Sequence, residues 1–108
     1  MDVLEDIKAS DNQAFERWFD RWFESENFIN TFKKSAQQGY TSYSIELART
    51  TPLSEKEAYI NRRLRDPRTV NKLKEQLSGI GVKFVVQNKR GLFGLNYTVE
   101  KLVFSWNG

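Results

Sequence analysis

The chain has 108 residues, 14% aromatic and 29% charged, with a formal net charge of +3 and neither Cys nor His. That length fits one domain, 1–108, and the large side chains can fill its core. The missing residue types exclude disulfides, thiolate or imidazole metal sites, thiol nucleophiles and the usual imidazole base.

Charge is unevenly spread. Residues 1–26 hold eight acids and three bases, and the remaining 82 hold six acids and fourteen bases. An acidic helix and a basic body can neutralise each other within one molecule or between subunits, or the basic part can face a polyanion. Asp2, Glu5 and Asp6 stand where a signal peptide would carry a basic start and an apolar run. The apolar runs are too short to span a bilayer, so the expectation is an intracellular protein with no membrane partner and no cofactor.

Residues 1–9 read as a short helix on Val3, Leu4 and Ile7, or as a frayed end. Ser10, with Gln13 three residues on, forms a capping box that opens the main helix. It runs to Gln38, with Gly39 as a left-handed C′ residue. Phe15, Trp18, Phe19, Trp22 and Phe23 repeat at i, i+3, i+4, i+7 and i+8, which lines one helical face. Phe28, Ile29, Phe32 and Ala36 continue the stripe, and Ser25-Glu26-Asn27 marks a kink or a break into two helices.

Thr41–Leu47 alternates as a half-buried strand, with Tyr43, Ile45 and Leu47 inward, and Thr50-Thr51-Pro52 ends it. Ser54 and Glu57 form a second capping box, opening a helix to about Leu64 that buries Ala58, Ile60 or Tyr59, and Leu64. Asp66-Pro67 starts a third helix, with Val70, Leu73 and Leu77 inward and a stop at Gly79 or Gly81. Val82–Val86 is apolar throughout except Lys83, which predicts a central strand. Asn88–Gly91 reads as a turn. The last strand, Leu95 to Trp106, switches apolar phase, and a bulge near Glu100-Lys101 would restore one inward face. The fold class is therefore α+β in the order α-β-α-α-β-β, an N-terminal aromatic helix or helix pair packed on a three-stranded sheet.

Two resemblances attach to these landmarks. Ala36 with Gly39, then Tyr43, Ile45 and Leu47, Leu77 with Gly81, Val82 and Phe84, and a closing Leu102, Phe104, Ser105 and Trp106 resemble a group of small phage and mobile-element proteins of unassigned function. That implies an accessory protein of the host-cell cytoplasm or the virion, and brings no catalytic residues. The order helix, strand, helix, helix, strand, wing, strand is similar to a winged-helix DNA-binding domain. Leu53-Ser54-Glu55 and Arg68-Thr69-Val70-Asn71-Lys72-Leu73 resemble the openings of its second and recognition helices. By that resemblance Arg68, Thr69, Asn71 and Lys72 would face the major groove and Lys89 and Arg90 would lie in the wing.

Three surfaces stand out. Arg62, Arg63, Arg65, Arg68, Lys72 and Lys74 form a basic cluster suited to phosphate, or else a solvated face answering the chain's own acids. Leu92 and Phe93 sit at a hairpin tip, where exposed apolar residues touch a partner or fold back on their own sheet. Phe15, Trp18 and Trp22 are core, or a seam between copies of an oligomer. Candidate acids lie at helix starts, where dipole and capping already explain them. The leading expectation is a non-enzymatic protein acting by protein binding or self-assembly, and the alternative is a nucleic-acid-binding regulator.

Overall fold

The structure is a computed structural model describing residues 2–49 and 51–106; Met1 and Thr50, part of the expected first helix and strand stop, lie outside the described residues. The chain divides into two compact units, Met1–Lys34 and Ser35–Gly108.

In the first unit a single helix, α1, covers Val3–Glu26. A helix opening at Ser10, after a short separate helix or a frayed end, was expected, and the difference has a local cause. The Asp2 carboxylate already caps the chain by accepting the Leu4 N–H, and no Gly or Pro follows to interrupt the ladder. Ser10 is an ordinary exposed helical residue. The expected break does occur: Asn27 turns left-handed (φ 47°, ψ 58°), and α2, Phe28–Gln37, starts after it. Asn tolerates that region better than most residues because its short side chain can bond locally. A continuous run of rings crosses the corner. Trp18 stacks on Trp22 at 5.1 Å, Trp22 meets Phe28 edge-on at 5.3 Å, and Phe28 lies 5.7 Å from Phe32. Phe15, Trp18, Phe19, Trp22, Phe28 and Phe32 are all buried. Ile29, expected on the same stripe, is 58% exposed.

α2 ends at the start of the second unit. Tyr40 N–H donates to the Ser35 carbonyl and Gly39 N–H to that of Ala36, both at 3.0 Å. With Gly39 at φ 91°, this closes the helix in a Schellman motif. β1 (Ser42–Glu46), α3 (Glu55–Arg65), α4 (Pro67–Gln76), β2 (Gly81–Arg90) and β3 (Asn96–Ser105) follow. Both expected helix starts are present: Ser54 and Glu57 cap each other reciprocally, and the Asp66 carboxylate accepts the Arg68 N–H with Pro67 opening α4.

The sheet is antiparallel in the order β1-β3-β2. β2 is thus an edge strand, although its apolar run suggested the centre. Only Val82 on it is buried, and Val86 faces solvent. The central strand is β3, paired with β1 from Ser42↔Ser105 to Glu46↔Lys101 and with β2 from Gly81↔Ser105 to Arg90↔Asn96. Both ladders run without interruption, so the expected bulge is absent. Successive side chains alternate between faces. Buried Val99 therefore lies on the face opposite buried Leu102 and Phe104, and the phase switch in the sequence records a change of covered face. α4 packs against β2 and against α3.

Two buried polar residues fasten the unit. Asn61, in α3, donates its amide to the Ala48 carbonyl at 3.0 Å and accepts the Ala48 N–H at 3.2 Å. Thr69 Oγ1, in α4, donates to the Arg63 carbonyl of α3 at 2.6 Å.

Candidate functional site

The basic cluster is divided by Asp66, whose extended backbone separates α3 from α4. Arg65, Arg68 and Lys72 therefore do not share one helical stripe. Arg65 forks onto Glu100 of β3, with Nε to Oε1 at 3.0 Å and Nη2 to Oε2 at 2.6 Å. The Glu100 carboxyl is lowered below its ordinary range, chiefly by these bonds, and Arg65 is raised in return. Arg68 folds onto Asp66, with Nη2 to Oδ2 at 2.6 Å, and holds that carboxyl below its usual value. Arg63 donates Nε to the Tyr59 hydroxyl at 3.1 Å, and its guanidinium lies 5.0 Å from the same ring. Arg62 stands over that ring at 5.8 Å. A guanidinium in a bidentate carboxylate pair has spent the fork a phosphate would need. Lys72 is half-buried and Lys74 exposed.

Thr69 does not face outward as the winged-helix resemblance implied. It is fully buried, tying α4 to α3. Asn71 is exposed. Phe15, Trp18 and Trp22 are buried.

The hairpin differs from all of these. Asn88, Lys89 and Arg90, expected in a turn, extend β2 opposite Thr98, Tyr97 and Asn96. The tip lies beyond, where the Gly91 N–H donates to the Leu95 carbonyl at 2.6 Å around a 3-10 turn, Leu92–Gly94. A Cβ on Gly91 would stand 3.0 Å from that carbonyl, so the tight closure suits glycine. Leu92 is 84% exposed and Phe93 98%. Phe93 also sits left-handed at φ 60°, ψ 23°, a region costly for any residue with a Cβ. Lys89 and Arg90 are exposed just behind it. Arg49 lies 5.0 Å over the Tyr97 ring, bracing the hairpin from the segment after β1.

Asn61, the tie from Thr69 to the Arg63 carbonyl and the Arg49–Tyr97 contact were not read from the sequence. Asn61 precedes Leu64 by three residues on the inward face of α3, and that spacing was its only signal. Among the described residues no three His, Cys, Asp or Glu side chains gather closely enough to hold a metal, and no helix is long and apolar enough to cross a membrane. Comparison with protein-family models, with curated proteins and with solved structures found no match for this chain.

Proposed function

We propose that this is a non-enzymatic accessory protein of phage or mobile-element type, acting in the host cytoplasm or the virion. It works by binding protein, another chain or its own kind, and the β2–β3 hairpin tip makes the contact. The observation that carries this reading is Phe93, a large ring 98% exposed in a left-handed backbone. Such a residue adds strain and no burial to the fold, a combination that persists where a partner gains from it. The absence of His and Cys supports the non-enzymatic part.

Replacing Phe93 with a photoreactive phenylalanine analogue and irradiating the producing cells tests the reading directly. A discrete crosslinked protein product is expected. Irradiation yielding only uncrosslinked chain would overturn it.

A second reading is carried by the element order from Phe28 onward: helix, strand, helix, helix, strand, hairpin, strand. That is the order of a winged helix, with Lys89 and Arg90 on the wing. It requires duplex DNA binding that weakens steeply with added salt. Loss of that binding in Lys89→Ala/Arg90→Ala would favour it, and no binding at low salt would remove it.

A further inference from the structure

We propose that the chain assembles head to tail, the hairpin tip of one copy seating on the N-terminal half of α1 of another. This rests on the reading of the tip as a protein-binding element and names its partner.

The receiving surface is unusual for a helix of a folded protein. No residue of α1 from Val3 to Ala14 is buried. Val3, Leu4 and Ile7 are 71%, 54% and 60% exposed, and their i, i+1, i+4 spacing gathers them on one face. A helical segment of about this length with no buried residue is marginal in water. Covering its apolar stripe would stabilise it.

Charge selects what covers it. Residues 2–14 carry four acids (Asp2, Glu5, Asp6 and Asp11) against Lys8 alone. The hairpin from Gly81 to Val99 carries Lys83, Lys89 and Arg90 and no acid at all. Both patches are apolar at the centre and charged at the rim, with opposite signs. Pairing helix with helix would set acids against acids, and pairing tip with tip would set Lys89 and Arg90 against themselves. Helix with tip is the only combination in which both the apolar and the electrostatic contributions are favourable. Each copy then offers one patch of each kind, so the contact either closes as a reciprocal two-fold dimer or, as a heterologous contact, closes as a ring or grows as a chain.

The test is light scattering on the full-length protein across concentration at low salt. The expected mass rises above the monomer with concentration and falls back as salt is added. Leu92→Ser/Phe93→Ser and Leu4→Ser/Ile7→Ser should each be monomeric. Mixed in equal amounts they should form a one-to-one dimer and nothing larger, because each retains the patch the other lacks. Should serine unwind α1, as circular dichroism would reveal, charge reversal replaces it. Glu5→Lys/Asp6→Lys and Lys89→Glu/Arg90→Glu should each weaken association at least about tenfold, and mixing them should restore it.

A wild-type protein that stays monomeric up to near-millimolar concentration overturns the proposal, as do variants that assemble like wild type. The photoreactive group at position 93 separates this failure from failure of the broader reading. A crosslink to residues 2–14 of a second copy supports both. A crosslink to a different protein, from a monomeric chain, sinks the head-to-tail pairing and leaves protein binding standing. No crosslink to any protein removes both.

Discussion

The two ends of the β2–β3 hairpin are built from the same kinds of residue and behave as different materials. At the base, Val82, Leu102 and Phe104 are buried; at the tip, Leu92, Phe93 and Leu95 are exposed. One antiparallel ladder runs from the base to Arg90↔Asn96, and the Gly91 N–H bonds the Leu95 carbonyl just beyond it, so backbone hydrogen bonding reaches both ends. Cover is what separates them. β1 pairs with β3 only as far as Lys101, and α4 packs on β2. Outward of Val99 the hairpin is a two-stranded ribbon, a form that adds little stability of its own. Apolar side chains at the base are buried in the fold, and those at the tip stay exposed.

The sharpest way to break this contrast is to truncate both ends. Phe104→Ala removes a fully buried ring from the central strand and should cost about 3–5 kcal/mol in denaturant unfolding. Leu92→Ala should change stability by less than about 0.5 kcal/mol. Similar losses at the two sites would mean that the tip is packed in solution.

Thr69→Val comes next. The change keeps the shape and deletes a buried hydroxyl donor to the Arg63 carbonyl. That carbonyl still accepts the Asp66 N–H at 3.2 Å, so the expected cost is about 1–2 kcal/mol. Lys89→Ala and Arg90→Ala, on the exposed ribbon, should not move the unfolding midpoint measurably. An equal loss from those two would undo the division between structural and surplus residues.

A smaller effect should follow pH. Glu100 and Asp66 are both lowered by their arginines. Groups depressed on folding contribute stability above the ordinary carboxylate values of about 4, and lose it as pH falls through their lower folded values. Arg65 is 46% exposed, so solvent screening limits that pair to about 1 kcal/mol at most. Glu100→Gln should flatten the acid side of the stability curve below about pH 4. A curve unchanged by the substitution would show the Arg65 fork to be absent in solution.

What the sequence disclosed was local. The Ser54–Glu57 box, the Asp66-Pro67 start, the Asn27 break and the Gly39 stop each depend on a few adjacent residues, and each was legible. Strand placement was not, because β2 and β3 are both apolar and only the long-range ladder to β1 decides which is central. The bulge was inferred by assuming one buried face, whereas Val99 and Leu102 are buried on opposite faces. For the candidate surfaces, residue type located the arginines but not their partners. Glu100 lies 35 positions from Arg65, a pairing no motif announces. The tip was visible as Leu92-Phe93 between glycines; its left-handed backbone was not.

That backbone permits one prediction of opposite sign. Phe93 holds φ 60° with its ring in solvent, so the fold bears the strain of a Cβ in the left-handed region and gains no packing from it. Asn adopts that region at lower cost. Phe93→Asn should therefore raise stability slightly, by about 0.5 kcal/mol, while abolishing whatever contact the ring makes. Thermal unfolding beside light scattering of the same variant reads both effects. A gain in stability joined to a loss of association would mark Phe93 as kept for binding at the expense of the fold. If Phe93→Asn lowered stability instead, the ring would be packed in solution, and the division between base and tip would fail where it is strongest.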